Sequence, residues 1–356
     1  MDQISGWCIT MSSEGYKLPD SDWKLLLERI QGKNCTPIIG SGAVTGGPPK
    51  GVEKDEWNFQ YPIGATLAQE WATEFEYPLE DATQIERVAQ FISVAGGGGA
   101  ILPKQRIADG LAKTSPPDFT PKNETHGVLA RLELPIYITS NFDDYLERAL
   151  LKEGKDVRVS VCRWHKHIPK DAPGYEILEP KRRERLGLDY FEYAKVEEGE
   201  DRGTLAYNPE TDARYKPTPA NPLVYHFHGH MAWPASLVVT EDDYFEFLLN
   251  LAKEPPPFVL PCIDKVLGYG ELLFLGYKLS DWDFRVLFRL LMDFLKAGNF
   301  KHIAVQLGPR SRAEAADQMK AENAERYLGT YLDKRNIKVF WGTCQEFIAE
   351  LNRRRE

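Results

Sequence analysis

A chain of 356 residues with 42% hydrophobic and 27% charged side chains is long enough to bury its own core and has the composition of a soluble globular protein. Its net charge of -9 argues against non-specific nucleic-acid binding, which depends on clustered Lys and Arg. The sequence contains no run of the ~20 apolar residues that span a bilayer and does not begin like a signal peptide, so we predict a soluble, cytoplasmic protein.

The cysteines agree with a reducing compartment. They are odd in number, far apart and never spaced as CxxC, so they predict neither a disulfide framework nor a cysteine zinc site. The five are Cys8, Cys35, Cys162, Cys262 and Cys344.

Six short apolar runs predict the strands of a parallel sheet. Continuous runs of this length, rich in Ile and Val, are typical of strands that are buried on both faces. The runs lie at 36–42, 134–143, 223–229, 271–281, 302–308 and 337–343. Because helical patterns alternate with most of them, we predict an α/β fold: a Rossmann-like parallel sheet with helices on both faces.

Capping residues mark the expected ends of several helices. Ser21 is positioned to cap a first helix, which Gly32 would end. Thr240 and Asp243 have the spacing of a capping box. Ser280 is positioned to cap the helix that follows the fourth run.

We predict one domain over residues 1–356, with two modules inside it. Residues 65–133 are mostly helical in pattern. Residues 166–221 are rich in charge, Pro and Gly and resemble a large surface insertion. The glycine-rich run at 95–100 is interpreted as a connection rather than a phosphate cradle, because no strand precedes it.

Glycine and polar residues collect where four of the predicted strands end. In an open parallel sheet, ligands bind outside the carboxyl ends of the strands, where the strand order reverses. The candidate binding residues are Gly40, Ser41, Gly42, Ala43, Thr139, Asn141, Asp143, His228, Gly276, Tyr277, Ser280 and Asp281. A nucleotide fits such a set, since glycine lets the backbone approach a pyrophosphate closely. The first turn departs from GxGxxG, which argues against an ordinary dehydrogenase.

Three side chains suit chemistry on that nucleotide. Asn141 both donates and accepts hydrogen bonds, which suits a ribose hydroxyl or a water, although it also suits the start of a turn. Asp143 offers acceptors for a carboxamide, and either Asp143 or Asp144 could cap the following helix. His228 is the candidate for acid–base catalysis, and Gly229 after it would leave room for a ligand.

Clustered histidines keep a metal site open as an alternative. His226 and His228 are two apart on a predicted strand and would face the same side, with His230 just beyond. His165 and His167 form a second pair. No HExxH motif accompanies them, and we predict that no metal is bound.

In their order along the chain, these motifs resemble the sirtuin-like superfamily, in particular the stand-alone NAD hydrolases of bacterial anti-phage defence. The motifs are GSGA (40–43), ITSNFDDYLERAL (138–150), HFHGH (226–230), LVVTEDDY (237–244), LLFLGYKLSDWDF (272–284) and an ending that contains RYLGTYL and IKVFWGT.

The resemblance implies NAD as the substrate and cleavage of its nicotinamide–ribose bond. It implies that Gly40–Ala43 contact the dinucleotide phosphates and that Asn141 and Asp143 bind the nicotinamide riboside end. His228 would be the catalytic histidine, and the Gly276–Asp281 turn would lie near the adenosine.

One departure from the family narrows the reaction. Protein-deacylating sirtuins carry a zinc module with two CxxC pairs, which this chain lacks, so water is the favoured acceptor. The resemblance also suggests a homo-oligomer, a HerA-type ATPase partner and a role in defence through NAD depletion. Two alternatives remain open: a non-catalytic sensor of NAD or ADP-ribose, and a metal-dependent hydrolase that uses the HFHGH cluster.

Overall fold

A sheet of seven parallel strands organises the chain. The computed structural model describes residues 18–44, 64–165, 168, 216–252, 261–277, 301–307 and 318–355. The strands are β1 (Cys35–Ile39), β2 (Ile136–Thr139), β3 (Arg158–Val161), β4 (Leu223–His226), β5 (Glu271–Leu275), β6 (His302–Gln306) and β7 (Ile337–Trp341). They lie in the order β3-β4-β2-β1-β5-β6-β7, and every neighbouring pair is parallel.

Helices cover both faces of this sheet. Those in the described residues are α1 (Asp20–Gln31), α2 (Ala65–Glu74), α3 (Ile85–Ala95), α4 (Ile101–Ala112), α5 (Thr125–Arg131), α6 (Tyr145–Lys152), α7 (Glu241–Leu251), α8 (Pro261–Tyr269), α9 (Gln318–Asp333) and α10 (Cys344–Arg355). One buried cluster joins α1, α5, α6 and α10 to alternate strand residues such as Tyr137 and Leu273. The other joins α7, α8 and α9 to the intervening residues, such as Ile138 and Phe274.

The Rossmann-like α/β prediction is therefore confirmed, and each of the six apolar runs contains a strand. The strand that sequence reasoning missed is β3. Its four residues alternate Arg, Val, Ser and Val, and it pairs only with β4 among the described strands. A short alternating strand lacks the continuous apolar run that marks the central strands.

The first helix begins two residues earlier than predicted. Asp20 is its first residue, Pro19 is the N-cap, and Ser21 lies inside the first turn, so the prediction that Ser21 caps this helix was wrong. The Pro19 carbonyl accepts the amides of Asp22 and Trp23, and the fixed φ of proline favours the start of a helix at this point. Gly32 follows the last helical residue, as predicted.

Thr240 and Asp243 form the predicted capping box of α7. The Thr240 hydroxyl accepts the Asp243 amide at 3.1 Å, and the Asp243 carboxylate accepts the Thr240 amide at 2.9 Å. Asp243 also forms a buried ion pair with Lys104 of α4 at 2.7 Å. The cap is thereby tied to the helical segment. Ser280, predicted to cap a further helix, lies outside the described residues.

The segment predicted to be helical contains α2 to α5. The first three pack around a third apolar cluster that includes Trp71, Ile92 and Ile107, together with Leu237 and Val239 from the approach to α7. The glycine-rich run between α3 and α4 makes a turn rather than a helix start next to a strand, in agreement with its interpretation as a connection.

The charged insertion over 166–221 lies outside the described residues except for Ile168 and 216–221, so that module stays a prediction. No helix in the described ranges combines the length and apolar character that crossing a membrane requires.

Glu271 gives the fold a pH-dependent stability. Its carboxylate is buried at the start of β5, with the Arg29 Nε atom 3.4 Å away and no hydrogen-bond partner among the described residues. Burial raises the pKa of Glu271 to about 7, and the nearby Arg29 guanidinium offsets only part of that effect. A raised pKa means that the folded state keeps a proton which the unfolded chain releases. The free energy of unfolding therefore falls as pH rises from the unfolded value towards 7.

We expect Glu271→Gln to remove this decline. The variant should exceed the wild type in free energy of unfolding by about 1–3 kcal/mol at pH 8, and by much less at pH 5. Urea unfolding at the two pH values measures this difference. An equal effect at both would contradict the assignment of a protonated Glu271.

Candidate functional site

Four neighbouring strands bring the predicted binding residues to one edge of the sheet. In the order β4-β2-β1-β5, the carboxyl ends lead into the segments that contain His228, Asn141, Gly40 and Gly276. The chain passes from β1 to β2 on one side and later places β5 on the other side of β1. Such a reversal of direction is where open α/β sheets form ligand crevices.

The turns after β1 and β5 interlock through their backbones. The Gly40 amide donates to the Leu275 carbonyl at 2.8 Å, and the Gly42 amide donates to the Gly276 carbonyl at 2.9 Å. Gly276 has φ +77°, and a Cβ atom there would lie 2.1 Å from the Ala43 nitrogen. Gly276 is therefore required by the packing of the two turns, whatever they bind. Ser41 and Gly42 are exposed on the outside of the first turn.

Tyr277 ties the same turns to β2. Its hydroxyl lies 3.0 Å from the Ser140 Oγ atom and 3.1 Å from the Ile39 carbonyl, and its ring covers Gly40. Burial raises the pKa of Tyr277, although its hydrogen bond to Ser140 opposes the rise. The residue is thus a neutral phenol that braces the edge. The two remaining candidates, Ser280 and Asp281, lie outside the described residues.

Asn141 is the least satisfied polar group at this edge. Its side chain is buried. Its main-chain amide donates to the Thr139 hydroxyl at 3.0 Å, and its main-chain carbonyl lies 3.0 Å from the Nδ1 atom of His226. The side-chain Nδ2 atom has no hydrogen-bond partner among the described residues. Leaving a buried amide unpaired costs about 1–3 kcal/mol, so this group is suited to a ligand that accepts its hydrogen bond.

The N-cap residue of α6 is Asp144, whose side chain makes no capping hydrogen bond; the first amide of the helix is capped by Asp143. One of its oxygens accepts the Tyr145 amide at 3.2 Å, whereas Asp144 pairs with Arg148 at 2.8 Å. Burial raises the pKa of Asp143 to about 6, and the His126 imidazole acts in the opposite direction. A carboxylate has about four acceptor sites, so capping leaves capacity for a ligand contact.

His228 is half-buried and lies edge-on to two rings of α7. The ring centroids are 5.6 Å from Tyr244 and 5.1 Å from Phe247. Burial lowers the pKa of His228 to about 4, so its imidazole is neutral at pH 7 and can accept a proton. The prediction about Gly229 needs correction: it has φ +88°, and a Cβ there would meet the Ser236 carbonyl at 2.2 Å. Its missing side chain makes room for the protein backbone rather than for a ligand.

The histidine pairing expected from the sequence was wrong. β4 ends at His226, so the alternation of a strand does not continue to His228. His226 instead faces His230, with ring centroids 4.6 Å apart. Between them lies Glu147 of α6, whose Oε1 atom is 2.5 Å from His226 Nε2 and 3.7 Å from His230 Nε2. All three side chains are fully buried.

This cluster has the composition of a metal site, and one of its two histidines departs from the hydrogen bonding that such a site usually has. Its three ligand atoms lie within 4.8 Å of one another. His230 Nδ1 accepts the Ala232 amide at 3.0 Å, so the neutral ring carries its proton on Nε2, the atom that faces Glu147. A metal-bound histidine normally donates a hydrogen bond from its second nitrogen, and His230 does the reverse. His226 follows the usual pattern, because its Nδ1 atom donates to the Asn141 carbonyl at 3.0 Å, so the departure concerns one of the two histidines.

The second histidine pair does not join this cluster. The His165 Nε2 atom lies 3.1 Å from the Glu246 Oε2 atom of α7, and His167 lies outside the described residues.

Glu147 is the site residue that sequence reasoning missed. It lies in the helix that Asp143 or Asp144 was predicted to cap, and it was given no role there. One signal could have identified it: Glu147 precedes Leu150 by three residues, and both lie on the face of α6 that is buried against the sheet.

A comparison with models of protein families identifies the family of this chain. The model of a family described as SIR2-like domain matches residues 135–340, which is more than half of the chain. The matched range includes Asn141 and His228 and excludes the turn at Gly40–Ala43. No curated protein matches the chain.

Proposed function

The chain belongs to the SIR2-like domain family, and from this premise we propose that it hydrolyses the nicotinamide–ribose bond of NAD to give nicotinamide and ADP-ribose. Family membership supports an NAD-dependent activity in general. The proposal of NAD hydrolysis is supported by the buried side-chain Nδ2 atom of Asn141, which lacks a hydrogen-bond partner among the described residues. Asn141 lies beyond the carboxyl end of β2, and ligands of open parallel sheets bind at such ends.

Each candidate residue has a role in that reaction. The Asn141 amide would donate to a ribose hydroxyl or hold the attacking water, and Asp143 would accept from the nicotinamide carboxamide. The C1′–N bond breaks with its electron pair moving to the pyridine nitrogen. Water then bonds to C1′, and its proton passes to the neutral imidazole of His228 and on to solvent.

Water is the proposed acceptor rather than an acylated lysine. The whole sequence contains no CxxC pair, so the zinc module of protein-deacylating sirtuins has no ligands here. The phosphates of NAD would lie against the turn at Gly40–Ala43, where the exposed Ser41 offers its hydroxyl as a donor. The Gly40, Gly42 and Ala43 amides already donate within the protein.

The wider setting is proposed from the motif resemblance alone. The protein would act as a homo-oligomer, with a HerA-type ATPase as its partner, in an anti-phage system that depletes NAD. Mixing the chain with such an ATPase and measuring both complex mass and NAD loss tests this part separately from the chemistry.

The test of the reaction is to incubate the purified full chain with NAD and a chelator, alone and with cell extract or a candidate ATPase. We expect nicotinamide and ADP-ribose in equal amounts, at a rate that an added acetylated peptide does not change. Tight NAD binding without product under any condition would favour the sensor. Loss of product with chelator would instead favour the metal-dependent hydrolase.

A further inference from the structure

A buried chain of hydrogen bonds leads from α6 to the main chain of Asn141. The Glu147 Oε1 atom lies 2.5 Å from His226 Nε2, and His226 Nδ1 lies 3.0 Å from the Asn141 carbonyl oxygen. The Glu147 and His226 side chains are both 0% exposed. Neither residue belongs to the set that would contact NAD.

The direction of these hydrogen bonds follows from the carbonyl. A carbonyl oxygen only accepts, so His226 Nδ1 must carry a proton. Burial by itself would lower the pKa of His226, but the Glu147 carboxylate and the Asn141 carbonyl outweigh it and raise the pKa. His226 therefore donates from Nδ1 to the Asn141 carbonyl, and its Nε2 atom shares a hydrogen bond with Glu147 on the other side.

Asn141 needs such a contact because it lies beyond the sheet ladder. β2 ends at Thr139, and the Ser140 amide still donates to the Ile39 carbonyl at 2.9 Å. α6 begins only at Tyr145. The carbonyl of Asn141 thus has no partner from β1 or from α6, and His226 is the group that orients this peptide unit.

We propose that Glu147 and His226 are positioning residues: this hydrogen-bonded pair fixes the Asn141 peptide and so directs its side-chain amide at the substrate. The proposal rests on the proposed function for what Asn141 does to NAD. Glu147 and His226 are fully buried and do not contact the substrate, yet they would control the geometry of the reacting groups.

Two double variants separate positioning from simple stabilisation. The amide nitrogen of asparagine can occupy the place of histidine Nδ1, and that of glutamine the place of Nε2. In both variants Glu147→Gln avoids an unpaired buried carboxylate. Glu147→Gln with His226→Asn keeps a donor to the Asn141 carbonyl. Glu147→Gln with His226→Gln loses that donor, and the two variants carry the same charge.

We expect the His226→Gln double variant to have a kcat for nicotinamide release about 100-fold lower than the wild type, with KM changed by less than about threefold. The His226→Asn double variant should keep kcat within about tenfold of the wild type. Equal kcat in the two double variants would overturn the proposal, because Glu147 and His226 would then contribute only to the free energy of unfolding.

The single variant Glu147→Gln gives a readout even where a double variant fails to fold. Glu147→Gln should lower kcat about tenfold at unchanged KM. Without the Glu147 carboxylate, the His226 ring would hold the Asn141 peptide less firmly. Glu271→Gln is the matched control, because it is the same change at a buried glutamate. Glu271 lies at the amino end of β5, away from the carboxyl ends of the strands, and the kcat of this variant should equal that of the wild type. A Glu147→Gln variant with wild-type kcat would overturn the role of Glu147.

A second measurement keeps this proposal separate from the reaction itself. In protein labelled with ¹⁵N-asparagine, the Asn141 side-chain signals are identified by their loss in Asn141→Ala. They should shift or broaden in the His226→Gln double variant and stay near their wild-type position in the His226→Asn double variant. That pattern supports positioning even if the wild type releases no nicotinamide, whereas unchanged signals in both variants overturn it.

Discussion

His228→Ala is expected to lower kcat for nicotinamide release about 10²- to 10⁴-fold, the range that a positioned acid–base group contributes. The imidazole is half-buried, is neutral at pH 7 and makes no hydrogen bond to the described residues, so it is available to accept a proton. Asn141→Ala should cause a loss of similar size, because it removes the amide that orients the ribose or the water. Both rates are measured as nicotinamide release at saturating NAD, on protein shown to be folded.

The same assay, run at several pH values, tests the protonation state of His228. Because burial holds the pKa of His228 at about 4, its protonation should not reduce the rate between pH 6 and pH 8. His302 is the matched control, since burial also lowers its pKa to about 4 but it lies at the start of β6, on the opposite edge. His302→Ala should affect stability and leave kcat near the wild-type value. If His228→Ala stays within tenfold of the wild type, His228 is at most a ligand contact.

The strands could be predicted because burial on both faces leaves a simple trace in the sequence. β1, β5 and β6 are continuous apolar runs, and their successive residues do enter opposite core clusters. The apolar runs do not predict the order of the strands in the sheet. The general rule that ligands bind at the carboxyl ends of parallel strands was nevertheless enough to group the candidate residues. β3 was missed because its Arg158 and Ser160 interrupt that pattern.

The details of the site could not be predicted, because they depend on contacts between distant segments. The pairing of His226 with His230 depends on the chain leaving the strand direction after β4. The burial of Glu147 depends on which face of α6 meets the sheet. Gly229 was interpreted as room for a ligand and Gly276 as part of a binding turn, but each of them closely approaches the backbone of another turn. A glycine in the sequence shows that space is needed and does not show what occupies it.

Gly276→Ala is expected to be the most disruptive small substitution at the edge of the sheet, and Gly154→Ala is its matched control. The two glycines have nearly the same backbone angle, with φ +77° at Gly276 and φ +76° at Gly154. A Cβ at Gly154 has no atom within 4 Å, whereas at Gly276 it would lie 2.1 Å from the Ala43 nitrogen and 2.6 Å from the Gly40 carbonyl oxygen. The difference between the variants therefore isolates the close approach of the two turns from the cost of the left-handed angle.

We expect Gly154→Ala to lower the free energy of unfolding by about 1–2 kcal/mol, the cost of a left-handed angle for a residue with a Cβ. Gly276→Ala should lower it by a further ~1–3 kcal/mol, because two backbone segments must separate. Since the turn at Gly40–Ala43 must move, NAD affinity should fall in Gly276→Ala and stay unchanged in Gly154→Ala. Urea unfolding and calorimetric titration with NAD measure the two effects. Equal losses of stability in both variants would mean that the two turns do not depend on each other. A loss of stability in Gly276→Ala with unchanged NAD affinity would mean that the interlocked turns support the sheet edge without forming the dinucleotide site.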